Sequence, residues 1–153
     1  MITKIISGAQ TGADQAGLEA GKILKLETGG IAPKGFKTET GFNPALKELY
    51  GITESGSPNY RTRTIENVKN SSATIWFGNE SSPGGKLTIN SCKQFGKPYI
   101  INPTKESFLR WINWNNIVIL NVSGNRESTN PGIFEKVKNF LVEVLRGDIN
   151  ANN

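Results

Sequence analysis

Residues 3–25 read TKIISGAQTGADQAGLEAGKILK, and this stretch decides the fold. Thr3 to Ser7 is a short run centred on Ile5 and Ile6, the composition of a buried strand. The loop GAQTG follows over residues 8–12. Ala13 to Lys25 then has helical periodicity, because Ala13, Ala16, Gly17, Ala20 and Ile23 recur on one face. That face is made of small residues, which let a helix approach a sheet closely. A strand, a glycine-rich turn and a helix in this order open an α/β sheet with the loop at the strand's carboxyl end.

The alternation continues outward from there. Thr28 to Ala32 is a short, weak strand, and Pro33-Lys34-Gly35 is a turn. Residues 36–57 carry Gly41, Pro44, Gly51 and Gly56, which predicts loops with one short helix over Ala45 to Leu49. Ser57-Pro58 starts a helix that runs to Asn70, and Ala73 to Phe77 is a strand. A tight loop at Ser81 to Gly85 leads into a helix ending at Phe95 and Gly96, and Tyr99 to Asn102 is the next strand. Thr104 caps a helix through Trp111. Ile117 to Val122 is the clearest strand. Asn130 and Pro131 open a final helix with Ile133, Val137, Phe140 and Val144 on its apolar face. Gly147 stops it, and residues 148–153 are expected to be a disordered tail. The connections are too long for hairpins. The expected fold is therefore one α/β domain over residues 1–147, a Rossmann-like parallel sheet with helices on both faces.

Composition narrows the function. The chain has 153 residues, suiting a single domain, and no histidine. That absence removes the commonest general base and metal ligand and excludes Ser-His-Asp and Cys-His mechanisms. With Cys92 as the single cysteine, a zinc site is not expected. Cys92 itself reads as a small buried residue. The net charge is +5, but the basic residues are scattered, which favours a small anionic ligand over nucleic acid. The opening MITKIISGAQ is no signal peptide and no apolar run suits a bilayer, so a cytoplasmic location and no membrane partner are expected.

Ligands in such folds sit at the carboxyl ends of the strands. The loop ISGAQTGAD turns on Gly8 and Gly12 and enters a helix, so its backbone N–H groups and the helix dipole suit a phosphate. Its spacing is neither the Walker nor the dinucleotide fingerprint. Thr11 and Asp14 also have capping-box spacing, so Asp14 is either a helix cap or a ligand contact. SSPGGK, with Gly84 and Gly85, repeats the strand-loop-helix setting, and Lys86 there either pairs with phosphate or lies exposed. Arg61 and Arg63 point about 200° apart on a helix, so only one easily faces a given site. Gly124, Arg126, Ser128 and Thr129 offer donors at another strand end. Trp76, Trp111 and Trp114 read as core or interface residues.

In order, ISGAQTGAD, APKGF, NYRTRTIENV, SPGG with Thr88, GKP and NVSGNREST-NPGI resemble the putative molybdenum carrier family up to about Leu145. That family is similar to molybdenum cofactor carrier proteins and, more distantly, to lonely-guy-type phosphoribohydrolases. The resemblance implies a Rossmann-like sheet, usually oligomeric, with the ligand at the Gly-rich loops. Position by position it points to Gly8, Gln10, Thr11, Gly12, Asp14, Lys34, Gly35, Arg61, Arg63, Gly84, Gly85, Gly124 and Arg126.

The function expected is non-catalytic binding of a phosphate-bearing nucleotide-like or pterin-cofactor-like ligand, with molybdenum cofactor or a nucleotide as the bound molecule. One alternative is sequestration or sensing of an NAD-derived cyclic nucleotide such as a cyclic ADP-ribose relative. Another is cleavage of nucleoside monophosphates. The lonely-guy-type enzymes place an acid in the helix after the Gly-Gly loop, yet Lys86 to Phe95 contains none. The remaining candidate bases are Asp14, Glu39, Glu54 and Glu66. Asp14, at a helix N-terminus, is expected to stay ionised and so be a weak base. Phe108, Trp111, Ile112 and Trp114 exceed the needs of one helix face, and self-association as a homodimer or larger assembly is expected.

Overall fold

The computed structural model describes residues 1–151. In chain order it contains β1 (Lys4–Ile6), α1 (Ala13–Ile23), β2 (Glu27–Ala32), β3 (Lys37–Thr38), β4 (Gly41–Phe42), α2 (Ala45–Tyr50) and β5 (Ile52–Glu54). There follow α3 (Tyr60–Asn70), β6 (Ala73–Phe77), α4 (Pro83–Gln94), β7 (Tyr99–Ile101), α5 (Lys105–Asn115), β8 (Ile119–Gly124) and α6 (Ile133–Ala151). Six strands form one sheet in the order β5-β2-β1-β8-β6-β7, and every pairing in it is parallel. Among the described residues no helix is long and apolar enough to cross a membrane.

The last strand lies in the middle of the sheet. β8 bridges β1 and β6, with Ile5 opposite Leu120 and Trp76 opposite Ser123. If β8 and α6 preceded β1, the strands β8, β1, β2 and β5 would run outward in chain order. The register also sorts the side chains, since successive residues of a strand face opposite ways. Ile75, Phe77, Leu120 and Val122 join the apolar core with α1, α5 and α6 residues such as Ala16, Phe108 and Leu141. Gly17 makes this close packing possible, because a β-carbon there would lie 2.5 Å from Cβ of Val122. The alternate residues Thr74, Trp76, Asn121 and Ser123 form a buried, largely polar layer on the side of α3 and α4. There Asn121 donates to Thr74 Oγ1 at 3.1 Å.

The structure departs from the sequence reading in four places. Residues 36–57 are not merely loop and helix. They hold a two-stranded antiparallel hairpin, β3 with β4, and the parallel edge strand β5 beside β2. Asn59, not Ser57, caps α3, accepting from the Arg61 N–H at 2.8 Å. At α6, the Glu127 carboxylate accepts from the N–H groups of Gly132 at 2.6 Å and Phe134 at 3.0 Å, so the cap is an acid five residues upstream rather than the Asn130 side chain. Finally, α6 passes through Gly147 to Ala151. A glycine weakens a helix interior only modestly, and the apolar face packed before it carries the helix on. Residues 152–153 of the expected tail lie outside the described residues. Cys92 is buried and free, as expected.

Candidate functional site

A cleft of about 430 Å³ opens at the carboxyl ends of β1, β8 and β6. Gln10 and Asp14 border it from the β1 side, and Tyr60, Arg63 and Thr64 from one face of α3. Ser123 to Arg126 and Thr129 border it from the end of β8, and Trp76, Pro83, Gly84 and Leu87 from β6 and α4. A broader depression of about 630 Å³ lies along the last turns of α6 beside Ile23. It lies between the carboxyl ends of α1 and α6 and gathers none of the buried unpartnered polar atoms.

The glycine-rich loops shape the cleft mostly by packing on one another. Gly12 has φ 79°, and a β-carbon there would lie 2.5 Å from the Asn125 carbonyl oxygen. It therefore lets the first loop seat on the β8 loop rather than opening space for a ligand. Gly85 and Gly124 are closed in the same way by the backbone of Glu80 and Phe77, at 2.5 and 2.3 Å. Many loop N–H groups are also spent internally. Ala9 N–H donates to Ser7 Oγ, Gln10 N–H to Asp14 Oδ2, Thr11 N–H to Gln10 Oε1 and Ala13 N–H to the Asn125 carbonyl. In α4, Pro83 has no N–H, Gly85 N–H is held by Ser82 Oγ and Lys86 N–H by the Ser82 carbonyl. Each loop therefore keeps only part of its backbone donors, among them the N–H groups of Asp14 and Gly84, for a ligand.

Three buried side-chain donors are also unspent. The Gln10 amide orientation is fixed because its Oε1 accepts two backbone N–H groups, from Thr11 at 3.0 Å and Glu39 at 2.9 Å. That leaves Nε2 buried without a partner. Arg63 Nε and Trp76 Nε1 are likewise buried with no acceptor among the described residues. All three residues border the cleft. Trp76, read from sequence as core or interface, is indeed buried, but it is also a wall of the site.

Arg63 is held by Asp14, with Nη1 to Oδ2 at 3.1 Å. It lies over Gly8 and 5.7 Å from the Tyr60 ring centroid. Arg126 and Lys37 approach the same ring, each at 5.5 Å. Asp14 does not close a capping box, since α1 has no side-chain cap. Its burial pushes its carboxyl above the ordinary value, against the pull of Arg63 and the Gln10 N–H. The helix N-terminus therefore does not dominate, which corrects the expectation of a firmly ionised group.

The β3–β4 hairpin docks on the first and last loops beside the cleft. Glu39 accepts from the hydroxyls of Thr11 and Ser128 and from Ser128 N–H, with Arg126 Nε 3.9 Å away. Partial desolvation pushes this carboxyl up, but those hydrogen bonds and the Arg126 charge outweigh it and leave it below the ordinary value. Sequence reasoning listed Glu39 only as a candidate base and missed this role. It also missed Tyr60, which its spacing before Arg63 and Thr64 places on the same helical face.

Several expected residues lie elsewhere. Arg61 is exposed outside the cleft, so of the two arginines only Arg63 faces it. Lys34 is exposed, and Gly35 N–H donates to Glu54 at 2.6 Å. Neither of these two borders the cleft, and nor do Glu54, Glu66 or Lys86. Among the described residues, no three His, Cys, Asp or Glu side chains cluster where they could hold a metal ion.

A parallel α/β sheet whose strand-end loops enclose such a cleft defines a Rossmann-like domain. The chain belongs to the circularly permutated YpsA SLOG family, whose model matches residues 5–145. The central placement of β8 is what a permuted chain order produces. The fold is similar to the crystal structure of a putative molybdenum carrier protein from Syntrophus aciditrophicus SB. The two share 33% identity and a TM-score of 0.83 over 94% of each chain. No match was found among curated proteins.

Proposed function

We propose that this domain binds a small phosphate-bearing ligand, nucleotide-like or pterin-cofactor-like, in the strand-end cleft without altering it chemically. The observation that carries this reading is the set of buried, unpartnered N–H groups on Gln10, Arg63 and Trp76 around one cavity. A buried donor left without an acceptor is costly, and a ligand rich in oxygen acceptors would satisfy all three. Arg63 and Arg126 supply the charge, and a guanidinium suits a phosphate better than an ammonium does. A donor set made of N–H groups does not suit a bare metal cation. The similar structure from Syntrophus aciditrophicus is described as a putative molybdenum carrier protein, which supports a carrier role. A binding role fits because Asp14 is the single carboxylate bordering the cleft, and it is engaged with Arg63.

The remaining site residues act at one remove in this reading. Thr11, Gly12 and Gly85 hold the loops together, Gly8 makes room for Arg63, and Gly124, which borders the cleft, packs on the Phe77 backbone. Titration calorimetry with inorganic phosphate, ribose 5-phosphate and guanosine 5′-monophosphate tests the proposal. Arg63→Met and Arg126→Met are each expected to weaken binding by about tenfold or more, while Arg61→Met leaves it unchanged. Equal affinities in all three variants, or no binding to the wild type, would overturn it. Self-association remains part of the proposal on a narrower basis. Phe108 and Ile112 are core residues, which leaves Trp114, 87% exposed, as the uncovered member of that set, with Phe42 and Val118 among the other exposed apolar side chains.

A further inference from the structure

The residues that border the cleft are segregated by charge. Asp14, Arg63 and Arg126 stand on the β1, α3 and β8 side, whereas β6 and α4 contribute Trp76, Ser82, Pro83, Gly84, Leu87 and Thr88, none of them charged. β8, which leads into Arg126, lies between β1 and β6, so the uncharged side is one strand spacing from β8 and about two, roughly 9.5 Å, from β1. On the uncharged side the first turn of α4 has committed its Gly85 and Lys86 N–H groups. What is left there, besides the Gly84 N–H, is one side-chain donor without an acceptor, the indole N–H of Trp76. Trp76 is 3% exposed, its Nε1 has no acceptor, and a β-carbon at Gly84 would stand 3.7 Å from the far edge of its ring. That is ordinary van der Waals contact, so Gly84 packs beside the six-membered ring where both residues border the cleft. Asn121 and Ser123, beside it on β8, do not take the indole proton.

We infer that Trp76 is the specificity-determining contact for the uncharged part of the ligand. Its indole N–H donates to a lone pair on a planar heterocycle lying against Pro83, Gly84 and Leu87, while Arg63 and Arg126 hold the phosphate at the other end. This rests on the phosphate-ligand reading of the cleft. An indole can only donate, so the ligand must present a ring nitrogen or carbonyl oxygen at that point and not another N–H. A sugar phosphate without a ring system would fill the charged end alone.

Two measurements test it. Trp76→Phe keeps an aromatic wall and removes the donor. It is expected to weaken guanosine 5′-monophosphate and adenosine 5′-monophosphate about five- to tenfold, the weight of one buried hydrogen bond, while ribose 5-phosphate binds as it does to the wild type. In a Trp111→Phe/Trp114→Phe protein Trp76 is the sole tryptophan, and its emission should shift with either nucleotide but not with ribose 5-phosphate. Nucleotide affinities unchanged in Trp76→Phe, or an emission unmoved by a nucleotide that calorimetry shows to be bound, overturn the assignment and leave the phosphate reading standing. If none of the three probes binds the wild type, the phosphate reading itself falls and this assignment falls with it.

Discussion

Arg63 lies so close over Gly8 that a β-carbon added there would sit 1.7 Å from its Nη1. The same Nη1 holds the Asp14 carboxylate at 3.1 Å. Gly8→Ala must therefore displace the guanidinium from its buried partner. The expected cost is about 1–3 kcal/mol of folding stability, read from urea unfolding. Phosphate-ester binding should weaken together with it. A Gly8→Ala protein of wild-type stability and affinity would show that Arg63 has room to move.

Asp14 gives the protein a distinctive pH response. Its folded carboxyl titrates above the unfolded value of about 3.9, so the native state binds this proton more tightly than the unfolded state does. Stability from this group is then fully present below about pH 4 and is lost as pH rises through the folded value. Compared with Asp14→Asn, the wild type should lose stability across that window and run parallel above it. Urea unfolding of both proteins over a pH series checks this. A wild type that gains stability on the variant as pH rises would mean that Arg63 outweighs burial.

Glu39 has the opposite sign. Its carboxyl is held below the ordinary glutamate value, so its contribution is present above the unfolded value of about 4.3 and disappears as pH falls through the folded one. Glu39→Gln removes the charge that ties the hairpin to Thr11 and Ser128. A loss of about 1–2 kcal/mol is expected, with faster trypsin cleavage after Lys37 in the loosened hairpin. Unchanged cleavage would show that the remaining hairpin contacts suffice.

The exposed face of α5 supplies a simpler test. If Trp114 covers an interface between copies, light scattering at micromolar concentration should show an oligomer for the wild type and monomer for Trp114→Ser. A monomeric wild type would remove self-association from the proposal.

The sheet was legible because its strands are apolar runs bounded by glycine and proline, as at Ala73–Phe77, where sequence and structure agree to the residue. β5 was not, because an edge strand of three residues with only Ile52 buried carries little periodicity. The hairpin was hidden for the same reason, with Thr38 its one buried position. Of the site, the loops were found but their chemistry was misjudged. Gly12 and Gly85 suggested a backbone cradle, yet each makes room for this chain's own backbone. That distinction depends on which segment lies opposite, and nothing local to GAQTG or SPGG encodes it. Gln10 was named at the sequence level through the family resemblance, whereas Trp76 became recognisable as a donor once its neighbours had been seen to leave it unpaired.

The position of β8 has a consequence for how the molecule is made. β1 pairs residues 4–6 with residues 119–121, and β6 reaches β1 only through the same strand. During synthesis the β5-β2-β1 and β6-β7 portions therefore wait as two unjoined half-sheets, each with a bare edge, until residues 119–124 arrive. Contacts of such long sequence separation are slow to form, and unpaired strand edges are where misassembly begins. β8 and α6 act as the keystone, set last, and the cleft whose three walls they join comes into being with them.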